Sequence, residues 1–336
     1  MAPDSTRVGM RSVRLGRSDL RTPSLIFGCG NFGGIGSAAE AVGLGDDEST
    51  AYSLLDRALD AGITMFDTAD SYGGGRSEEW LGRWMACRGV RAQVMVTTKV
   101  GNRVGPGEHD AGLSRRHIRA QIEASLRRLQ TDYVDLYLTH VADPHTPIEE
   151  TVTAFDELVH EGKIRYYGLS NVSGQLLADT VATATLAGVG GPVNMQGGYH
   201  LLDRGHEAGA IPASEHYGVG FTAFSPLAGG LLTGRYQPGA EPPAGSRGAL
   251  LPDWHSTVDP VHFTRVLYRL RQAAARRDLA PATLALAWVL TAPKVRGAVI
   301  APRTPHQLEL VRAAVEVSLT DPEREWLASG EGEEIR

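Results

Sequence analysis

Three short apolar runs in this chain each end at a side chain that can take up or release a proton. One run ends at Asp67, with Tyr72 five residues later in a glycine-rich turn. A second run ends at Lys99, and a third ends at His140. A parallel barrel gathers the residues at the carboxyl ends of its strands into one pocket. The spacing therefore predicts that these four side chains form an acid–base site.

Strand-like and helix-like segments alternate along the chain without a break in composition. Apolar residues at helical spacing predict the helices, and short apolar runs predict the strands. The predicted strands are 25–28, 63–67, 94–98, 134–139, 164–169, 193–196, 219–224 and 299–300, and the predicted helices are 49–61, 77–85, 114–129, 148–161, 173–186 and 211–216. This order predicts an α/β fold, a (β/α)8 TIM barrel, as one domain over residues 1–336. A Rossmann fold is the runner-up, although no G-x-G-x-x-G motif follows the first strand in the required context.

Two segments depart from a bare barrel. Residues 1–10 are interpreted as a flexible tail, and residues 228–262 form a long stretch rich in Gly and Pro after the seventh predicted strand. A structureless loop of that length in a compact domain is usually functional.

Among the helices, the one over 77–85 is predicted to begin with Ser77 as its cap, because a serine oxygen can accept hydrogen bonds from the free backbone amides of the first turn.

The composition argues against several classes of protein. The net charge of −6 provides no basic surface for nucleic acid. No apolar run approaches the ~18 residues that a membrane span needs, and the first residues lack the apolar core of a signal peptide. We therefore expect a cytoplasmic protein without a membrane or nucleic-acid partner.

Cysteine and histidine spacing argues against a disulfide framework and a metal site. The chain has two cysteines, Cys29 and Cys87, which are far apart in sequence and are expected to be reduced thiols. His140, Asp143 and His145 are close together, but a proline separates the last two and indicates a turn. No H-x-x-x-H, H-E-x-x-H or C-x-x-C spacing surrounds them, so we expect no metal ion. The chain also lacks the G-x-S-x-G elbow of many hydrolases.

The four groups at the strand ends suit the reduction of a carbonyl group. When hydride reaches the carbonyl carbon, negative charge develops on oxygen and needs a proton or a stabilising dipole. A free tyrosine is a weak acid with a pKa of ~10, and a nearby ammonium group lowers that pKa. Lys99 can supply the charge beside Tyr72, and Asp67 can hold Lys99 in place.

The catalytic tetrad of the aldo-keto reductases is similar to the set found here, in the same order and in similar surroundings: Asp67, Tyr72, Lys99 and His140. The resemblance runs from about Val13 to about Leu319. The stretch Ala-Pro-Arg-Thr-Pro-x-Gln-Leu is similar to actinobacterial members, among them NADPH-dependent carbonyl and deoxysugar reductases. Four further segments share the resemblance: 168–171, the strand that contains Gln196, 224–227 and 303–307.

The resemblance implies a role for each catalytic group. Tyr72 is then the proton donor in reduction, Lys99 lowers its pKa, Asp67 pairs with Lys99, and His140 orients the carbonyl oxygen. It also implies an N-terminal β-hairpin within residues 11–21 that closes the bottom of the barrel. The long loop after strand 7 would cover the cofactor and shape the substrate pocket.

The resemblance further implies NADP(H) as the cofactor. Arg303 is a fork-shaped donor suited to a 2′-phosphate, and Phe224 would stack on the nicotinamide ring. Leu310 and Val311 stand where the family has an acidic residue and an asparagine that hold adenosine, which leaves the strength of NADPH binding open. The full set of expected cofactor-binding residues is Gly30, Asn31, Phe32, Ser170, Asn171, Gln196, Phe224, Ser225, Pro226, Leu227, Gly229, Ala301, Arg303 and Gln307.

We therefore expect an NADP-dependent oxidoreductase that reduces an aldehyde or ketone to an alcohol. Its actinobacterial features suggest the carbonyl of a sugar or a secondary metabolite as the substrate. The alternative is a cofactor-binding regulatory subunit with little turnover, similar to the potassium-channel β subunits that share this fold. The sequence leaves open the physiological substrate, the direction of the reaction, and whether the protein is a monomer or a homo-oligomer.

Overall fold

Eight parallel strands close into a barrel in the computed structural model, which describes residues 10–331 and residue 335. The strands of the described part are β1 (Ser12–Arg14), β2 (Arg21–Pro23), β3 (Leu25–Gly28), β4 (Met65–Asp67), β5 (Met95–Val100), β6 (Val134–Thr139), β7 (Ile164–Ser170), β8 (Asn194–Gly198), β9 (Gly220–Phe224) and β10 (Val295–Ile300). From β3 onward each strand pairs with the next, and β10 returns to β3 with Ile300 opposite Phe27. The predicted (β/α)8 TIM barrel is confirmed.

Helices pack around the outside of the barrel, and several begin at the polar caps that the sequence offers. Ser114 Oγ accepts a hydrogen bond from the backbone amide of His117, and Ser173 Oγ accepts one from that of Leu176. Two helices therefore begin directly after these serines. The α-helices of the described part are α1 (Glu48–Asp60), α2 (Arg76–Arg88), α3 (Arg115–Leu129), α4 (Ile148–His160), α5 (Gly174–Ala187), α6 (Ala210–Tyr217), α7 (Arg247–Leu250), α8 (Pro260–Arg276), α9 (Pro281–Leu290), α10 (Pro305–Arg312) and α11 (Asp321–Ser329).

The start of α2 differs from the prediction. Gly75, with a φ of 92°, precedes the helix, and Ser77 lies inside the first turn instead of at the cap. The Ser77 hydroxyl points inward, where it donates to the backbone oxygen of Cys29 at 2.9 Å and lies 2.8 Å from Thr68 Oγ1. The capping prediction was wrong because this side chain ties α2 to the ends of β3 and β4.

The N-terminal hairpin closes one end of the barrel, as expected. β1 and β2 pair antiparallel, with Val13 opposite Thr22. Leu15 and Leu20, in the turn between them, are buried against apolar side chains of the barrel. Since these apolar groups fill the end at which the strands begin, the polar side chains at the opposite, carboxyl end remain available for a site. The buried barrel residues of this cluster are Ile26, Met65, Leu136, Leu138 and Val299.

The stretch between β9 and α8, residues 225–259, is more ordered than a structureless loop. It contains 3-10 turns at Ala228–Thr233 and Pro252–His255, with α7 between them. The backbone amide of Gly248 donates to Tyr236 Oη at 3.1 Å, which holds two parts of this β9–α8 segment together. The helices α8, α9 and α11 were not predicted, and α8 begins within the range that was expected to be loop.

Two expectations concern the ends of the chain and the membrane. The predicted tail lies outside the described residues except for Met10, which packs against the hydrophobic core. Among the described residues, no helix combines the length and the apolar character that crossing a membrane requires.

Candidate active site

Lys99 and Asp67 form a buried ion pair at the carboxyl ends of β5 and β4. The Lys99 ammonium donates to Asp67 Oδ1 and, at 2.9 Å, to the backbone oxygen of Thr68. The Lys99 side chain is 1% exposed. Burial lowers its pKa, but Asp67 and Tyr72 outweigh that effect and raise the pKa above its usual value. Lys99 is therefore charged at neutral pH.

Tyr72 lies beside this pair. Its phenolic oxygen is 3.3 Å from Lys99 Nζ, which also lies 4.9 Å from the centroid of the ring. Burial raises the pKa of Tyr72, and Lys99 opposes the rise without cancelling it. Lys99 thus acts on the phenol pKa in the expected direction, but burial outweighs it and leaves the pKa above its ordinary value. In this structure Tyr72 is a neutral phenol with a proton to donate.

His140 lies against Tyr72 in an edge-to-face contact. The two ring centroids are 5.4 Å apart, with an interplanar angle of 77°. Burial, assisted by the charge of Lys99, lowers the pKa of His140 to about 3. The imidazole is therefore neutral at pH 7 and carries one N–H. The amide nitrogen of Asn102 lies 3.1 Å from its Nδ1 atom.

The ends of β7 and β8 bring three more predicted residues to this site. Asn171 donates through Nδ2 to the backbone oxygen of His140 at 2.9 Å, and to Ser170 Oγ at 3.2 Å. Gln196 donates through Nε2 to Asp67 Oδ2 at 2.9 Å. Because Lys99 satisfies the other carboxylate oxygen, both oxygens of Asp67 are bound. The Gln196 amide nitrogen thus supports the ion pair, a contact that the sequence did not predict.

The loop after β3 meets two distant segments at the rim of the barrel. Asn31 donates through Nδ2 to the backbone oxygen of Ala301 at 3.4 Å. Its Oδ1 atom accepts from Arg247 Nη2, in α7, at 3.0 Å. The charge of Arg247 reaches Tyr72, where it opposes the upward shift of the phenol pKa. The β9–α8 segment therefore places a guanidinium group at the edge of the site.

Arg303, after β10, is held by an acidic partner. Its Nε atom donates to Asp46 Oδ1 at 2.8 Å, and its Nη1 atom donates to the backbone oxygen of Gly245 at 3.4 Å. Its backbone amide donates to Gln307 Oε1 at 2.8 Å. Burial raises the pKa of Asp46, although Arg303 works against that rise. A second guanidinium group thus stands at the rim, beside the β9–α8 segment.

The sequence of this chain matches a known protein family over most of its length. A sequence model described as the aldo/keto reductase family matches residues 24–328. The chain belongs to this family. Aldo-keto reductases carry out NAD(P)H-dependent carbonyl reduction.

Three relatives span nearly the full length of this aldo-keto reductase. It is 38% identical over 320 residues to the uncharacterised oxidoreductase YrpG of Bacillus subtilis, covering 92% of each chain. It is 36% identical over 324 residues to a "probable voltage-gated potassium channel subunit beta" of Oryza sativa subsp. japonica, covering 94% of each chain. It is 32% identical over 314 residues to the L-glyceraldehyde 3-phosphate reductase of Escherichia coli, covering 90% of this chain and 87% of the relative.

The backbone of this aldo-keto reductase is unusual where cofactor contacts are predicted. Asn171, Ser225 and Ala228 have φ values of 55°, 51° and 51°. Left-handed backbone at a non-glycine residue costs roughly 1–3 kcal/mol and tends to occur at ligand sites. Asn171 follows β7, and the other two follow β9 together with the predicted contacts Pro226, Leu227 and Gly229.

The remaining predicted contacts differ in how they meet the site. Phe32 is 1% exposed, and its ring lies 6.0 Å from that of Phe27, so this side chain is part of the core and supports the loop from below. Gly30 passes close to the phenol, since a Cβ atom there would lie 3.6 Å from the Tyr72 ring. Phe224 is half-buried at the end of β9. Val311 is a buried core residue of α10.

Neither cysteine is placed to act in the chemistry. Cys29 is fully buried beneath the site, and burial raises the pKa of its thiol, which keeps it unreactive. Cys87 is exposed on α2. Within the described part of the chain, no group of three or more His, Cys, Asp or Glu side chains could hold a metal ion.

Sequence reasoning missed three residues of the site: Asn102, Arg247 and Asp46. Asn102 follows β5 three positions after Lys99, so its place at a strand end was a usable signal. Arg247 lies in a stretch that was treated as loop, although Ser246 caps a helical turn there. Asp46 carries no local signal, because its partner Arg303 is far away in the sequence.

Proposed function

We propose that this protein is an NADPH-dependent reductase of aldehydes or ketones, with Tyr72 as the proton donor. The observation that carries the proposal is the contact of a neutral Tyr72 phenol with the charged Lys99, at 3.3 Å, beside a neutral His140. The nicotinamide, when bound, supplies the hydride. A carbonyl oxygen that gains negative charge then finds two hydrogen-bond donors in the phenol and the imidazole.

Lys99 is placed to stabilise the negative charge that forms on the Tyr72 oxygen when its proton leaves. The phenolate left behind lies within hydrogen-bonding distance of the Lys99 ammonium, which stabilises it. Asp67 and Gln196 keep that ammonium in place. In the reverse direction, the same phenolate can act as the base for an alcohol.

We infer NADP(H) as the cofactor from the two guanidinium groups at the rim. Arg303 has the planar fork that suits a phosphate group, and its side chain is 37% exposed. Arg247 adds a second positive charge on the β9–α8 segment; burial lowers its pKa, and the nearby charge of Arg303 acts in the same direction. Ser170 and Asn171 are proposed to bind the nicotinamide amide, with Phe224 against its ring.

The proposed substrate is the carbonyl of a sugar or a secondary metabolite. The relative named L-glyceraldehyde 3-phosphate reductase supports the inclusion of short hydroxyaldehydes and their phosphate esters among the candidates. Polar groups around the site, including Asn31 and Arg247, could bind substrate hydroxyl or phosphate groups.

The test is a side-by-side titration of the purified protein with NADPH and NADH, followed by nicotinamide fluorescence. We expect NADPH to bind at least ~10-fold more tightly, which corresponds to about 1.4 kcal/mol. NADPH oxidation is then measured with a panel of aldehydes, ketones and keto-sugars. Failure to bind either nucleotide would refute the proposal, and equal affinities would refute the choice of NADPH.

A second candidate is a cofactor-binding regulatory subunit with little turnover. The identity of 36% to a probable potassium channel β subunit supports it. The two functions differ in repeated turnover. A regulatory subunit would oxidise at most about one equivalent of bound NADPH per chain with every carbonyl of the panel, whereas an enzyme would continue until its substrate is consumed.

A further inference from the structure

A chain of side-chain hydrogen bonds joins the Tyr72 loop to His140. Ser71, the neighbour of Tyr72, places its Oγ atom 2.8 Å from Ser37 Oγ. The Asn102 Nδ2 atom donates to Ser37 Oγ at 3.0 Å, and it lies 3.1 Å from His140 Nδ1. The chain thus starts at the residue next to the proton donor and ends on the imidazole.

The last contact of this chain determines which ring nitrogen of His140 carries the proton. An amide NH2 group can only donate, so the Nδ1 atom of His140 must accept. A neutral imidazole has one proton, and the nitrogen opposite its acceptor carries it. With Nδ1 as acceptor, the proton is on Nε2. If the ring had the other tautomer, Nε2 would be an acceptor and could not donate to a carbonyl oxygen.

We propose that Asn102 is a positioning residue that holds His140 in the Nε2–H tautomer and fixes its ring relative to Tyr72. The inference rests on the proposed reductase function, because it explains how His140 donates a hydrogen bond to the reacting oxygen. The same amide nitrogen is anchored by Ser37, which ties the histidine to the loop that carries the phenol.

The surroundings of His140 keep the ring neutral, as the proposal requires. Tyr72 faces it edge-on at 5.4 Å, and the Lys99 ammonium opposes a second positive charge on the ring. Asp67 lies behind Lys99 and is paired with it. Since Lys99 and burial act in the same direction, selection of the tautomer falls to the hydrogen bond from Asn102.

The direct test is nitrogen NMR of histidine-labelled protein, in which the two tautomers give different ¹⁵N shifts. The His140 signals are those lost in His140→Gln. We expect Nε2–H in the wild type at pH 8 and Nδ1–H in Asn102→Asp, because the new carboxylate accepts a proton where the amide donated one. Gln93→Glu adds the same charge at an exposed position before β5 and should leave the tautomer unchanged. The Nδ1–H tautomer in the wild type would overturn the proposal, whether or not the variants fold.

Turnover provides a second readout that a purely structural role would not produce. At pH 8 we expect Asn102→Asp to reduce kcat by ~100-fold, the usual cost of losing one donor to the reacting oxygen. The new carboxylate also favours the imidazolium, so it raises the pKa of His140 above its value of about 3. As the pH falls toward 5, the imidazolium regains its Nε2 proton, so the variant should recover relative to the wild type. An equal loss at every pH would contradict the proposal.

The two hypotheses can fail separately. If the protein binds no NADPH but shows the expected tautomers, only the reductase function is rejected. If it reduces carbonyls while His140 carries its proton on Nδ1, only the role of Asn102 is rejected.

Discussion

Lys99 is a charged side chain that water hardly reaches. Replacing a buried ion pair by packed apolar groups is often neutral or even stabilising, whereas removing one partner costs ~3–5 kcal/mol. The pair with Asp67 is therefore poorly explained as a device for stability. It is better explained by the phenolic oxygen of Tyr72, which lies 3.3 Å from the Lys99 ammonium.

Tyr72→Phe tests the proton donor. The change removes one hydroxyl group and leaves a ring of the same shape, so cofactor affinity should stay within ~2-fold of the wild type. The value of kcat should fall by at least ~10²-fold, the lower range for a positioned proton donor. Fluorescence titration and steady-state turnover give the two numbers. Persistent turnover would show that another group donates the proton.

Arg303→Ala tests the recognition of the 2′-phosphate. A hydrogen bond to a charged group contributes about 1.5–3 kcal/mol, so NADPH affinity should fall by ~10- to 100-fold while NADH affinity changes little. The matched control is Arg312→Ala, at the other end of α10, where the side chain pairs with Glu309. Equal losses for the two nucleotides would reject the role. Thermal unfolding should be recorded as well, because the change leaves the Asp46 carboxyl without its partner.

Single residues were predictable from sequence where their position was local information. Asp67, Tyr72, Lys99 and His140 could be selected because each lies at or just after the end of an apolar run. The partners of Asn31 and Asp46 could not, because Arg247 and Arg303 come from segments more than two hundred positions away.

Among the elements, α2 and α3 bring the glycine-rich turn after Tyr72 into position through unusually close packing. A Cβ atom at Gly82 of α2 would lie 2.3 Å from the backbone oxygen of Arg128 and 2.6 Å from the carbonyl carbon of Leu129. No side chain fits between the two helix backbones there. The Arg128 side chain continues past Gly75 to pair with the buried Glu78.

Gly82→Ala should therefore destabilise the protein. Overpacking costs about 1–3 kcal/mol, which outweighs the roughly 1 kcal/mol that alanine gains in helix propensity. Urea unfolding measures the difference. Gly191→Ala is the control, because no atom lies within 4 Å of a Cβ atom at that position. An unchanged or increased free energy of unfolding for Gly82→Ala would show that the helices separate easily.

The elements also show why part of the fold escaped prediction. Strand β6 was predicted with correct bounds because apolar side chains dominate its run, all of which is buried. Over residues 228–262, by contrast, the many Gly and Pro residues suggested loop, while Ser246 and Asp259 in fact cap helices. Pro260 and, further on, Pro281 begin helices that were not predicted. Capping signals within a loop-like composition are only recognisable once the packing of the helices is known.

At the scale of the whole molecule, neutral histidines that are buried or half-buried make stability depend on pH. Burial lowers the pKa of His200 to about 4, and that of His140 to about 3. In the unfolded chain both have a pKa of ~6.5. At pH values between a histidine's folded-state pKa and its unfolded-state pKa, the unfolded state binds more protons than the folded state. The free energy of unfolding therefore falls as the pH falls through this range.

His200→Asn should remove part of this dependence. The asparagine oxygen can replace Nδ1 as acceptor of the Leu202 backbone amide, now 3.2 Å from His200, without taking up a proton. Relative to the variant, the wild type should lose up to about 1.4 kcal/mol for each pH unit between 6.5 and 4. Urea unfolding at several pH values gives the slopes. Parallel slopes would mean that His200 is accessible to protons in the folded state.

The barrel cannot close during synthesis until its last strand has been made. β3, near the start of the chain, needs β10 as its second neighbour. At a synthesis rate of ~5–20 residues per second, the roughly 270 residues between them take roughly 15–55 s to appear. Throughout that time a growing chain exposes β3 as an open edge that other strands can pair with. The ribosome-bound protein is therefore most prone to misassembly in the interval before its last barrel strand is complete.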